Sequence, residues 1–157
     1  MRTLSKKTQY SLRALYALAR AYGTGPLLIA DLARQEGIPK KFLEQILLKL
    51  KSHGLVASKK GKGGGYALVR APEAVTVGNV IRLIEGPLAP LPCASETAYR
   101  KCDECLDDRY CGTRLLMRDV RNAIAGILDC TTLADVCRRV DDARGQSQSR
   151  DSLMYYI

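Results

Sequence analysis

IADLARQEGIPKKFLEQILLKLKSHGLVASKKGKGGGYALVR, residues 29–70, carries three patterns in succession. Ile29, Leu32 and Ala33 recur at helical spacing and predict a short helix over 28–36, which Gly37 breaks. Pro39 suits the first turn of a following helix, where its missing N–H would be unpaired in any case. Phe42, Leu43, Ile46, Leu47 and Leu50 form the inward stripe of that helix, and Gly54 stops it. Leu55–Ser58 and Tyr66–Val69 then read as short strands flanking Lys59-Lys60-Gly61-Lys62-Gly63-Gly64-Gly65, a basic, glycine-rich hairpin tip. Short helix, glycine turn, longer helix and hairpin make a winged helix-turn-helix. Ala33 is small where the two helices must approach, and Gly37 permits the tight turn.

Upstream, Leu12, Leu15, Tyr16, Leu18, Ala19 and Tyr22 predict a helix over 5–22, ended by Gly23 and Gly25-Pro26. Downstream, Thr76 can cap a helix reaching about Glu85. Gly86-Pro87, Pro90 and Pro92 read as an extended linker, and residues 93–112 as a cysteine-rich loop. Met117, Val120, Ile124 and Ile127 predict a long helix over 114–129; Leu115, Leu116 and Leu128 widen its apolar surface beyond one stripe. Thr131 or Thr132 caps a final helix to about Val140, and the polar stretch after it predicts disorder. The expected fold is mainly α: a winged helix-turn-helix with a small β-hairpin wing, followed by a long C-terminal helix. The expected organisation is a DNA-binding unit over 1–86, a linker and sensor loop over 87–113, two helices over 114–140 and a disordered tail over 141–157.

Charge divides the same way. Of the net +9, residues 1–90 hold +10 and residues 91–157 hold −1. A basic front half and a neutral rear half point to a polyanion bound at one end. No apolar run approaches a membrane span, and Arg13 and Arg20 interrupt the segment that would form a signal-peptide core. A cytoplasmic protein with no membrane partner is expected. The single histidine, His53, leaves little room for a His-based metal or hydrolytic site.

The polyanion that fits a winged helix-turn-helix is double-stranded DNA. Lys40, Lys41, Glu44, Gln45 and Lys49 face outward from the third helix; Gln45 can read an adenine edge, Glu44 can accept from a cytosine amine, and the lysines can meet phosphates or guanine. Lys59, Lys60 and Lys62 on the wing can enter a minor groove or follow phosphates. A phosphate-binding loop is the competing reading of Gly61–Gly65. It lacks the Gly-Lys-Ser/Thr ending and leads into a strand, not a helix.

Four of the six cysteines, Cys93, Cys102, Cys105 and Cys111, share one loop. In a reducing compartment such a group binds metal or senses redox change more often than it forms structural disulfides. An iron–sulfur cluster, structural zinc, a reversible dithiol and no ligand all stay open on spacing alone. Zinc ribbons show two CxxC knuckles where this loop has one, and Asp107 and Asp108 would raise nearby thiol pKa values. Cys130 and Cys137 are expected to be packed as small apolar residues. No thioredoxin-like βαβ pattern surrounds Cys102 and Cys105, so a dithiol redox enzyme is the weaker alternative and no enzyme is expected.

Leu43-Glu44-Gln45-Ile46, Gly54-Leu55-Val56, Gly63-Gly64-Gly65-Tyr66, Val77-Gly78-Asn79-Val80-Ile81, Leu128-Asp129 and Thr132-Leu133, in this order over roughly residues 1–137, resemble the Rrf2 family of winged-helix regulators, including its IscR-like and NsrR-like iron–sulfur repressors. The resemblance implies a homodimer formed through helix 114–129 and bound to palindromic operator DNA. It implies a repressor that senses iron–sulfur, redox or nitric oxide status. It also implies a 2Fe–2S or 4Fe–4S cluster held by Cys93, Cys111 and one of Cys102 or Cys105. Two positions depart from the family. Arg114 stands where the IscR-like branch places a ligating His, and Gln9 is the nearest equivalent of the acidic ligand of the NsrR-like branch.

Overall fold

The computed structural model describes residues 4–154, with side chains described as far as Gln146. Six helices and one hairpin follow in the order α1 Lys6–Arg20, α2 Ile29–Glu36, α3 Lys40–Ser52, β1 Val56–Lys59, β2 Gly65–Leu68, α4 Val77–Glu85, α5 Gly112–Asp129 and α6 Leu133–Met154. Short 3-10 turns occupy Pro92–Ala94 and Asp108–Tyr110 inside the cysteine loop. Among the described residues, no helix is long and apolar enough to cross a membrane.

The core is formed by the stripes that the sequence marks. Leu15, Leu18, Leu32, Leu43, Ile46, Leu47 and Leu50 are fully buried, as are Val56 and Val80. The α2–α3 turn follows from Gly37, which sits in the left-handed region at φ 60° and lets the Ile38 N–H reach back to the Ala33 carbonyl at 2.9 Å. Ile38 then buries its side chain beneath the turn. Ser5 caps α1 by accepting from the Thr8 N–H, and Thr76 caps α4 by accepting from Asn79 N–H.

β1 and β2 pair antiparallel, Val56 with Leu68 and Lys59 with Gly65. Leu27 adds a third edge, exchanging backbone bonds of 2.9 and 2.8 Å with Tyr66. This explains two wing glycines that a flexible tip would not require. Gly65 has φ 143° and stands where a Cβ would strike the Leu27 carbonyl, while a Cβ on Gly64 would strike the carbonyls of Lys59 and Gly61. Only the outer turn, Gly61 to Gly63, is free of such packing.

The C-terminal part returns to the front. Val77 N–H donates to the Thr131 carbonyl at 2.8 Å, Leu133 N–H donates to the Val75 carbonyl at 2.9 Å, and the Leu133 side chain is fully buried in the same core. Thr132 and Asp135 form a reciprocal capping box at the start of α6. α6 then lies along α1. The expected end near Val140 and the expected disorder over 141–154 are corrected: the helical backbone continues to Met154. The rest of the expected tail, 155–157, lies outside the described residues. Cys137 is half-buried with its Sγ 3.7 Å from the Tyr16 carbonyl, but Cys130 is exposed, contrary to the expected packing.

Candidate nucleic-acid interface and cysteine loop

α3 presents two faces. Leu43, Ile46, Leu47 and Leu50 are buried, so Lys40, Lys41, Glu44 and Gln45 are exposed on the opposite side and Lys49 is half-buried at its border. Leu48, which the same spacing places outward, is 62% exposed on this face, an apolar residue among the polar ones that the sequence reading singles out. A leucine there can contact a thymine methyl. His53 ends the helix with its Nδ1 2.8 Å from the Lys49 carbonyl, as a cap. Lys51 is committed to the wing: its Nζ donates to Ser58 Oγ at 2.6 Å and ties α3 to β1. Lys59, Lys60 and Lys62 are exposed on the wing beyond that tie.

α5 is only partly covered by the rest of the chain: Met117, Val120, Ile124 and Leu128 are half-buried, Leu128 against the core. None of its 18 residues is buried. Leu115 and Leu116 are 44% and 58% exposed and Ile127 is 65% exposed. The helix is held to α4 mainly by Arg82, which grips Asp129 with two bonds of 2.5 and 2.8 Å. Gly78 makes this approach possible, since a Cβ there would strike the Asp129 carboxylate.

The cysteine loop closes against the N-terminus of α5. Cys93 is buried, Cys102 exposed, and Cys105 and Cys111 intermediate. Cys105 Sγ donates to Cys111 Sγ at 3.9 Å. Two thiolates on one tetrahedral metal atom with bonds of about 2.3 Å stand about 3.8 Å apart, so this pair is spaced as co-ligands or as partners about to form a disulfide. The two thiols differ in acidity. Cys111 caps α5, and the backbone N–H groups of Arg114 and Thr113, with Cys105 and the Arg114 charge, draw its pKa below the usual thiol value. The hydrogen bond to Cys111, with desolvation and Cys102, pushes Cys105 up to about 11. The acidic neighbours do not oppose this. Asp107 is engaged by Arg109 and Asp108 by the Tyr99 hydroxyl, and both carboxyls are held below their ordinary range.

Arg114, at the position of the missing histidine, serves as a clasp. Its Nε donates to the Cys93 carbonyl at 2.9 Å, its Nη1 to the Asp108 carbonyl at 3.1 Å, and its guanidinium lies 5.5 Å from the Tyr99 ring centre. One side chain thus ties the start of the loop to its end. Of the four sequence-predicted ligands, Cys105 and Cys111 touch and Cys102 lies close enough to influence Cys105. Among the described residues, no three metal-binding side chains stand together as a ready site. The donor set itself fits a thiophilic metal or cluster.

Over residues 4–139 the chain matches Rrf2, described as an iron-dependent transcriptional regulator. It is 41% identical over 136 residues to an rrf2-like HTH-type transcriptional regulator of Rhodobacter capsulatus, covering 85% of this chain and 91% of that protein. Among solved structures it resembles CymR, the global cysteine regulator of B. subtilis, at TM-score 0.74 and 34% identity, with 88% of this chain and 98% of that one covered. It also resembles T. potens IscR at TM-score 0.71 and 32% identity, covering 90% of each.

Proposed function

The chain belongs to the Rrf2 family of DNA-binding transcriptional regulators and is not an enzyme, and from that premise we propose that it is a homodimeric repressor whose Cys93–Cys111 loop reports iron–sulfur, redox or nitric oxide status to palindromic operator DNA. The observation that carries this reading is the Cys105–Cys111 contact at the N-terminus of α5, the helix that leaves Leu115, Leu116 and Ile127 exposed. A second copy packed on Leu115, Leu116 and Ile127 would bury that face and place two α3 helices about one DNA turn apart. Gln45, Glu44 and Leu48 would then address bases, and Lys40, Lys41, Lys49, Lys59, Lys60 and Lys62 phosphates or guanine.

For the sensor, Cys93, Cys111 and Cys105 are the favoured holders of an iron–sulfur cluster, because Cys105 touches Cys111 and is less exposed than Cys102, which hydrogen-bonds to Cys105 from the solvent side. The cluster would supply a redox-active, nitric oxide-reactive centre. The chain supplies the loop, and the Arg114 clasp sets its closed form. A change in the loop is transmitted through α5 and the Arg82–Asp129 pair to α4 and the DNA-binding unit. The same 3.9 Å contact supports a second reading, a cluster-free dithiol in which the more acidic Cys111 reacts and Cys105 resolves. Anaerobic purification followed by absorption spectroscopy and iron, sulfide and zinc analysis separates them. Visible absorption that disappears in Cys111→Ala supports the cluster. A colourless, metal-free protein that forms a Cys105–Cys111 disulfide supports the dithiol. Colourless protein with stoichiometric zinc rejects both.

A further inference from the structure

A cavity of about 410 Å³ opens where α4, the linker after it, the start of the cysteine loop and α5 meet. This volume lies within the range of small-molecule sites. Its walls differ in character. Leu88 and Ala125 contribute apolar surface, and Asn79, Arg82, Glu96 and Arg121 contribute polar groups. Arg82 is satisfied by its two bonds to Asp129. Arg121 is not. Its side chain is only 12% exposed, Nη1 donates to Glu96 Oε2 at 2.7 Å, and Nε is buried with no partner. A buried guanidinium N–H without an acceptor is uncommon. The one partner it has is itself loosely held, because the Glu96 side chain is 81% exposed.

We propose that this cavity binds a small aliphatic carboxylic acid, taken by Arg121, and that it is an effector site separate from the cysteines. A carboxylate meets the Nε side of an arginine with two parallel bonds, and Nε is the nitrogen without an acceptor here, so a turn of the Arg121 side chain away from Glu96 would present that side to the ligand. The aliphatic body of the ligand lies on Leu88 and Ala125, and a second polar group reaches Asn79. Glu96 competes for the same guanidinium and moves into solvent when the ligand enters. The bound acid joins α4 of the DNA-binding unit to α5, so its occupancy adjusts the seam between the two halves. Only this last consequence rests on the regulator reading; binding itself does not.

The test is titration calorimetry and thermal melting of the full chain with sodium succinate, sodium acetate and inorganic phosphate at matched ionic strength. Succinate is expected to bind saturably and raise the melting temperature. Glu96→Gln, at an exposed position, removes the competitor and should tighten binding about tenfold, whereas Arg121→Lys keeps the charge, loses Nε and should weaken it about tenfold. A Cys105→Ser/Cys111→Ser chain should bind as the parent does, which separates this site from the sensor loop. The proposal is overturned if neither carboxylate binds saturably, if phosphate binds as well as succinate, or if Glu96→Gln weakens binding. A response unchanged in Arg121→Lys overturns it too.

Discussion

The two halves of this chain are built on different principles. In the front half, α1 to α4 and the wing close around their own leucines, isoleucines and valines. Beyond Gly86, only Cys93, Ala94 and Leu133 join the buried apolar residues described. The rear half is instead held by ion pairs, caps and a clasp: Arg82 on Asp129, Thr132 with Asp135, and Arg114 on two loop carbonyls. Hydrophobic burial dominates the front, whereas the rear adds directional, charge-dependent contacts to the few apolar side chains, such as Leu128, Leu133 and Val136, that it packs on the front's core. A reading surface requires constant shape. A sensing segment requires contacts that a modest change can make or break.

The comparison can be broken most sharply by matched leucine deletions. Leu43→Ala should cost about 2–5 kcal/mol in urea unfolding, independent of protein concentration, because it leaves a cavity in a closed core. Leu116→Ala should leave single-chain stability nearly unchanged and should weaken self-association instead, as measured by sedimentation. Equal losses in dilute solution would show that α5 is packed after all. Glycine replacement gives the next largest effect. Gly65→Ala places a Cβ against a backbone carbonyl at positive φ and should cost about 1–3 kcal/mol. Gly78→Ala meets only the flexible ends of Asp129 and Arg82, which can turn away, so its cost is their ion pair, about 1 kcal/mol or less.

Acid should separate the halves. The Arg82 guanidinium holds Asp129 below the usual carboxylate range, and Thr132 with Arg138 holds Asp135 down to about 2. Both groups have folded pKa values below their unfolded ones. Their stabilisation is therefore complete above about pH 4 and is lost as pH falls through the folded values. Amide exchange should show the α4–α5 seam and the start of α6 loosening before α3 does. The smallest effect is chemical. Alkylation of Cys111 should begin at lower pH than that of Cys105, as read by mass spectrometry after limited labelling.

The front half was legible because its information is periodic. A three-and-four spacing of Leu43, Ile46, Leu47 and Leu50 states which face is buried, and the same count would have shown Leu48 facing out. The rear half is written in pairs of residues distant in sequence. Nothing near Arg114 signals that it reaches Cys93, and nothing near Arg121 signals Glu96. The extent of α6 beyond Val140 is not legible, because residues 141–150 carry no apolar period that would mark a helix. The four loop cysteines were visible as a group, but which of them meet depends on a clasp that spacing does not encode.

Leu133 deserves a last consequence. Its side chain completes the core of the winged-helix half, and its N–H donates to the Val75 carbonyl, yet it follows the whole cysteine loop in the chain. On the ribosome, at about 5–20 residues per second, the front helices emerge well before the residue that closes their core. A nascent chain cut short at the loop therefore leaves that core open. The order of synthesis ensures that a fully closed front half arises only in polypeptides that already carry the cysteine loop.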